Sequence, residues 1–481
     1  MKKRKSWPAF FLLGLASGCA NIPNDWGRAE VDTAVAERGR AVTPGAGDRT
    51  GQDRWQSIDV EQAIQISLIN NPQIKAEYAR LGFGAADVYR ASRISNPIFS
   101  LAALDPSNTD GSTRLSYGLV GSFTDLLTLP QRKKLAGVAF AALKAEVGAR
   151  VLELAADTEV AFYTYLAARQ TQKLRELVAT AADLSAELAE RFYNAGNISP
   201  RELAQARSAA AQAKVTALSS AAETFSARYE LAMVLGVSIG DEWQTVEQLP
   251  LPPANEQKLS TLLTMTNETR LDFAAAKQRV ALTAEQKNFT AWSRWLGEFN
   301  IGVEKERESD GEKLFGPSLQ MELPVFNQNA DVAISADAEM RIAGAELEQL
   351  AIKIENDVRL AHMAVINSRQ KLAEIRDALI PMRVAAISQA QREQNYMLIG
   401  AFELIQSKQF EYDSYAAYIA AVRDYWLART RLTRAVGRTL TQASDATEQT
   451  LDVEELIHRP GSRQQHQHHH RHGQDHTGAR Q

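Results

Sequence analysis

One helical pattern sets the strongest limit on how this chain folds. Between residues 347 and 379, apolar side chains advance in steps of three and four, and only Ser368 interrupts them. They are Leu347, Leu350, Ile354, Val358, Ala361, Val365, Leu372, Ile375 and Leu379. Such a stripe is typical of a coiled-coil-like helix. The pattern extends over 329–395, and a helix of about 60 residues is roughly 90 Å long. A helix of that length does not fit a single globular core, so we expect long helices packed side by side.

Three further patterns of this kind cover about 131–194, 200–235 and 400–437, so the chain is predicted to be mainly α. Pro381 lies inside the helix predicted over 329–395 and should bend or break it. This proline is either a built-in kink or a residue tolerated at the surface.

The chain contains signs of an internal duplication. "GNISPRELAQAR" at 196–207 aligns with "MLIGAFELIQSK" at 397–408, and two further matches occur in the same order at nearly the same offset. Three ordered matches predict two copies of one unit, repeat 1 over 58–256 and repeat 2 over 257–440. Each copy is expected to contain a helix, two strands and two long helices. The first helices are predicted over about 59–93 and 259–295.

Four strands are predicted, near 97–104, 113–123, 298–306 and 314–323. In "FGPSLQMELPVFNQ", polar and apolar side chains alternate, which indicates a strand with one apolar face. Pro324 is expected to end this strand. Strands of this length and pattern are typical of membrane β-barrels, but four strands do not close one. Either several chains share a barrel, or the four strands form a small soluble sheet capped by helices.

The N-terminus has the layout of a secretory signal over 1–18, with four basic residues before a short apolar run. Cys19, the only cysteine, follows small residues in "LASGC" and resembles the lipidation site of bacterial lipoproteins. The alternative is a plain signal peptide that contains a cysteine. Residues 19–57 are rich in Gly, Pro and charged residues and are predicted to be an extended, lipidated tether.

The C-terminal residues 441–481 are predicted to be a disordered, histidine-rich tail. Seven of the eight histidines lie in 458–476. Imidazole is a good ligand for Zn, Cu and Ni, so the candidate metal ligands are His466, His468, His469, His470 and His472. The alternatives are an incidental low-complexity end or a cloning artefact.

Composition narrows the function classes. The net charge of −4 and the absence of a basic stripe argue against nucleic-acid binding. The sequence contains no glycine-rich phosphate loop, metalloprotease helix motif or serine elbow, so neither an enzyme nor a cofactor is predicted.

The duplication, the "NP" of the first helix, the "GPSLQMELPVFNQ" passage and the two "EL" helix-tip motifs together resemble the TolC-like outer-membrane efflux channel family, over about 59–437. The resemblance implies a homotrimer with a helical barrel in the periplasm and a twelve-stranded barrel in outer-membrane lipid. It also implies two partners, a periplasmic adaptor protein and an inner-membrane pump of RND type. The C-terminal helix is most similar to the heavy-metal exporter branch. Heavy-metal cations are therefore the expected substrate, with organic drugs or secreted substrates as the alternative. An alternative of a different class is a periplasmic coiled-coil lipoprotein with a metal-buffering tail.

The same resemblance implies roles at the helix tips, where members of the family close their periplasmic mouth with acidic residues. Glu403 matches one acidic position, and Gln406 occupies the next, which departs from the family pattern. The alternative is that Glu403 is an ordinary solvated helix charge. The turns around Gly196, Asn197, Ile399 and Gly400 are expected to contact the adaptor, with both glycines easing a tight reversal.

Overall fold

The structure is a computed structural model that describes residues 24–42, 57–105, 113–253, 255–308, 310–323 and 325–440. Its helices before the second strand pair are α1 Arg28–Ala36, α2 Val60–Asn70, α3 Pro72–Ala91, α4 Phe123–Asn194, α5 Pro200–Leu235, α6 Leu259–Thr269 and α7 Leu271–Ser293. The later helices are α8 Ala330–Glu374, α9 Ile380–Asn395 and α10 Ala401–Val436. The strands are β1 Ile98–Leu104, β2 Arg114–Ser122, β3 Phe299–Arg307 and β4 Lys313–Met321. The predicted mainly α fold with four strands is confirmed. Among the described residues, no helix has the length and apolarity needed to span a bilayer.

The four strands form one antiparallel sheet in the order β1-β2-β3-β4. Each observed strand ends within two residues of its predicted limits. The central pairing joins β2 of one half of the chain to β3 of the other, with Leu119 opposite Val303. Pro324, which was predicted to end β4, lies outside the described residues.

The chain divides into two compact units, and each takes residues from both predicted repeats. The first comprises Gln73–Val151, Arg270–Ile354 and the N-terminal residues through Ala41, and it contains the sheet. The second contains a large aromatic core in which the rings of Tyr163 and Trp426 stack with centroids 5.0 Å apart. The predicted stripe of α8 is buried there at Val358 and Val365, as its spacing required. The element order is the same in 58–256 as in 257–440, except that a π-helical turn divides the first long helix of the second range. A common origin for the two repeats stays a prediction.

Two predicted single helices are each divided in two. Pro72 disfavours a helical conformation at the residue before it, and Asn71 is extended with ψ of 122°. The Ser67 hydroxyl and the Asn71 amide both donate to the Val234 carbonyl, at 2.9 and 2.8 Å, which fixes this joint against the end of α5. The second predicted helix, over 259–295, is divided at Arg270, which is also extended.

The prediction of an extended tether over 19–57 is wrong for its described part, because residues 28–36 form α1. Val31 and Val35 are 1% and 0% exposed. A Cβ at Gly148 in α4 would lie at ordinary contact distance from both valines but only 2.7 Å from the Leu271 side chain, so the missing side chain leaves room for Leu271 beside α1. The Tyr78 hydroxyl also donates to Asp32 at 2.6 Å. Only two apolar residues anchor this helix, too few to produce a visible sequence period.

Two prolines lie within the long helices. Helix α4 begins at Phe123, eight positions before the predicted residue 131, and the exposed Pro130 lies within it. A proline keeps a helical φ, but it removes one hydrogen-bond donor and crowds the carbonyl four residues earlier. In α4 the helix continues through this local defect. At Pro381 the helix is not broken. The chain forms one π-helical turn, Ile375–Leu379, and α9 then begins with the proline in its first turn.

Candidate membrane sheet and tip gate

One face of the sheet is apolar and exposed. Directly opposed residues of antiparallel strands share a face, and the register aligns Leu101 with Tyr117, Leu119 with Val303, and Ile301 with Leu319. The apolar face consists of Phe99, Leu101, Tyr117, Leu119, Ile301, Val303, Phe315, Leu319 and Met321, which are between 40% and 75% exposed. A contiguous exposed patch of this kind indicates a contact with lipid or another protein.

The opposite face of the sheet has a different chemistry. This polar face is made of Ser100, Ser116, Asn300, Glu304, Glu306, Ser318 and Gln320, with Ile98, Leu104, Val120 and Leu314 among them. Arg114 forms an ion pair with Glu306 across β2 and β3. Gly302 is crowded by the Ser318 hydroxyl and the Leu119 carbonyl, so no side chain fits there. The sheet therefore has one apolar and one largely polar side.

Aromatic side chains lie where the helices meet the sheet. Trp292 and Trp295 are 46% and 55% exposed just before β3. The Arg294 guanidinium lies 4.7 Å from the centroid of the Trp295 ring. Half-exposed tryptophans are enriched at membrane–water interfaces, so this end of the sheet has the composition of such a boundary.

The tip turn between α4 and α5 is closed by hydrogen bonds of a standard kind. Gly196 has a φ of 78°, and the N–H of Asn197 donates to the Phe192 carbonyl at 2.8 Å. Glu202 then accepts hydrogen bonds from the backbone N–H and the hydroxyl of Ser199, both at 2.8 Å. These bonds, the backbone one first, hold the pKa of Glu202 below its ordinary value. The predicted need for glycine at residue 196 is confirmed.

The tip turn between α9 and α10 has the corresponding backbone hydrogen bond but no glycine in the left-handed position. Met397 has a φ of 58°, and the N–H of Leu398 donates to the Glu393 carbonyl at 2.9 Å. The expectation that Gly400 eases the reversal is wrong, because its φ is −79° and it serves as the N-cap of α10. The turn reverses at Met397 instead, where the side chain is 92% exposed and strain can be tolerated. Ile399 beside it is half-buried.

Glu403 and Gln406 lie one turn apart in the first two turns of α10, and both are exposed. Because Gly400 has no side chain, it offers Glu403 no partner comparable to Ser199. Within the part of the chain that the structure describes, the Glu403 carboxylate makes no ion pair. Glu202 is thus engaged in capping its helix, whereas the carboxylate of its counterpart Glu403 faces water.

A buried charged cluster in α10 was not predicted. Glu411 is 1% exposed and accepts hydrogen bonds from Lys408 at 2.5 Å and from the Tyr415 hydroxyl at 2.8 Å. Burial, together with this bond to a carboxylate, raises the pKa of Tyr415 above its ordinary range. The spacing of three and four residues was visible in the sequence, but it does not distinguish a buried pair from a surface one.

The remaining predicted site residues lie outside the described ranges. These are Cys19 and the five tail histidines, so lipidation and metal binding by the tail stay predictions. His362 is half-buried in α8. Within residues 24–440, apart from the gaps named above, no three His, Cys, Asp or Glu side chains are grouped so as to hold a metal ion.

Comparison with known proteins agrees with this architecture. No profile of a known protein family matches the chain. The cobalt-zinc-cadmium resistance protein CzcC of Cupriavidus metallidurans is 21% identical over 79% of this chain and 90% of its own length. The outer membrane protein VceC from Vibrio cholerae has a TM-score of 0.65 at 15% identity, covering 79% of this chain and 96% of VceC.

The solved structure of CusC, a protein that forms a transmembrane channel, has a TM-score of 0.66 at 15% identity. It covers 82% of this chain and 97% of CusC. The alignments therefore cover about four fifths of this chain and nine tenths or more of each relative. The chain has the fold of the TolC-like outer-membrane efflux channels.

Proposed function

We propose that this protein is the outer-membrane channel of a tripartite efflux system. It acts as a passive duct for substrate expelled by an inner-membrane pump, of RND type by resemblance, through a periplasmic adaptor. The proposed location is the bacterial outer membrane, with the helices in the periplasm and an acyl anchor at Cys19. The fold shared with VceC and CusC supports this proposal.

The observation that carries the proposal is the two-sided sheet. Its apolar face suits lipid and its polar face suits an aqueous lumen. Within the described residues, β1 pairs only with β2 and β4 only with β3, so each has one unpaired edge. Unpaired edges are not tolerated in the hydrocarbon of a bilayer. Three chains of four strands would close a twelve-stranded barrel and pair every edge.

We propose heavy-metal cations as the substrate. CzcC, the curated relative, is named for resistance to cobalt, zinc and cadmium. In a trimer, three copies of Glu403 would form an acidic ring at the periplasmic mouth, which attracts cations. Gln406, one turn along the same helix, would leave this ring single.

Deletion of the gene tests both parts of the proposal. We expect the minimum inhibitory concentrations of Zn, Co and Cd to fall and to recover on complementation. Cu, Ag and several dyes serve as comparison compounds. Unchanged metal tolerance with lost dye tolerance would refute the metal substrate but keep the duct. Extraction of the protein as a detergent-free soluble monomer would refute the duct and favour a periplasmic lipoprotein.

A further inference from the structure

The β3 sequence "EKERE" at 304–308 alternates acid and base without a break. Because side chains of a strand alternate between faces, the acids Glu304 and Glu306 lie on the polar face. Lys305 and Arg307 lie on the apolar face, where Lys305 is opposite Tyr117 and Phe315. The end of the sheet next to the β3–β4 turn therefore has opposite charges on its two faces.

A third cation joins them from β4. Lys313 is directly opposite Arg307 in the register, so two positive charges face each other. Like charges at directly opposed positions destabilise a sheet. Lys305, Arg307 and Lys313 are all exposed, and none of them makes an ion pair with any described residue. We call these three residues the basic edge.

The basic edge lies on the same side of the sheet as the apolar face, at the end of the sheet that is farther from Trp292 and Trp295. If the apolar face contacts lipid hydrocarbon, the basic edge lies at the level of the lipid headgroups. The anion available at that level is the lipid phosphate. One phosphate between Arg307 and Lys313 would relieve their repulsion, because it accepts hydrogen bonds from both.

We propose that the basic edge binds the phosphate groups of anionic membrane lipids. This inference rests on the proposed function, since it requires the apolar face to lie in a bilayer. Each cation near an anionic lipid surface contributes about a fivefold preference, which corresponds to roughly 1 kcal/mol. We expect a lipid that contacts one cation of the basic edge to be selected by about that factor, and a lipid that contacts two of them to be selected more strongly.

Lipid selection is measurable by electron spin resonance on the full chain reconstituted in phosphatidylcholine vesicles. Trace spin-labelled phosphatidylglycerol or phosphatidylcholine reports the lipid that is immobilised by the protein. We expect the relative association constant of phosphatidylglycerol to be about five in the natural protein. In the variant K305Q/R307Q/K313Q it should fall to about one.

A matched control removes the same number of charges elsewhere. Lys75, Lys214 and Lys258 are exposed on or beside helices, and the variant K75Q/K214Q/K258Q should keep the preference. Equal association of the two lipids with the natural protein would overturn the inference. The same holds if both variants lose the preference equally.

Two further readouts separate the possible failures. Immobilised phosphatidylcholine without a phosphatidylglycerol preference overturns the inference but leaves the sheet in lipid. The absence of any immobilised lipid overturns the proposed function itself. If the basic-edge variant does not insert into vesicles, the phosphatidylglycerol preference of the natural protein is measured again in 1 M salt. The preference should then decline, because salt screens the attraction between the cations and the lipid phosphate. A preference unaffected by salt would refute a phosphate contact.

Discussion

Leu319 lies on the apolar face near the middle of β4, 65% exposed and opposite Ile301. A nine-residue strand is about 30 Å long and, tilted by roughly 40°, covers about 23 Å of the ~25 Å apolar band of a membrane barrel. Leu319 is two residues from the central Pro317, which corresponds to about 5 Å from the midplane. An arginine at the midplane costs about 2–4 kcal/mol. We therefore expect Leu319→Arg to disfavour insertion by about 2 kcal/mol per chain, or roughly thirtyfold.

Gln320→Arg is the matched control, because the neighbouring residue lies at nearly the same depth on the polar face, opposite Asn300. We expect it to insert as the natural protein does. The assay is urea-dependent insertion into phosphatidylcholine vesicles, followed by the heat-resistant trimer band on a gel. Equal insertion of the two arginine variants would refute the assignment of the faces, and a weaker Gln320→Arg would reverse it.

Three further predictions concern the helix tips. Met397→Gly should stabilise the turn by about 0.5 kcal/mol, because relief of the left-handed strain exceeds the added freedom of glycine in the unfolded chain; amide exchange of Leu398 measures it. The folded pKa of Glu202 is depressed, so its cap is present above the unfolded pKa and is lost as pH falls through the folded value. The protection factor of the Ser199 amide, which donates to this carboxylate, should therefore fall below about pH 4, and Glu202→Gln should remove this pH dependence. Glu403→Ala should reduce cation selectivity of the conductance in planar bilayers.

Controls for these predictions come from the corresponding positions of the two tips. Gly196→Ala should destabilise its turn by about 1 kcal/mol, the reverse of the change at Met397. Slower exchange in the Gly196→Ala variant would contradict the strain argument. Glu202→Ala should leave conductance unchanged, because that carboxylate caps a helix. A shift as large as that of Glu403→Ala would contradict the distinction between the two residues.

Glu202 and Glu403 occupy corresponding positions in the predicted repeats but have different surroundings. The two residues align in the sequence, and their motifs are equally visible. The residue three positions earlier distinguishes them, because the Ser199 hydroxyl donates to the Glu202 carboxylate and accepts from the Glu202 N–H, whereas Gly400 has no hydroxyl. The inference that Glu403 is available for a gate therefore depends on local geometry rather than on the motif.

Several errors of the sequence-based prediction have a common cause. Helix α1 is held by contacts of Val31 and Val35 with a helix more than a hundred residues away, near Gly148. The left-handed Met397 lacks the glycine that normally signals such a turn. Propensity patterns report the average behaviour of a residue type, and neither a distant contact nor tolerated strain contributes to that average.

The sequence by itself determined the long helices and the two faces of each strand, because a period of three to four or of two is repeated over many neighbouring residues. Only the tertiary structure decided which strands pair. The ion pair between Arg114 and Glu306 joins residues 192 positions apart. It links β2 to β3 in the sheet that separates the basic edge from the polar face. Alternation assigns a side chain to a face, but every alternating strand offers the same backbone hydrogen bonds, so the partner is selected by the packing of the whole chain.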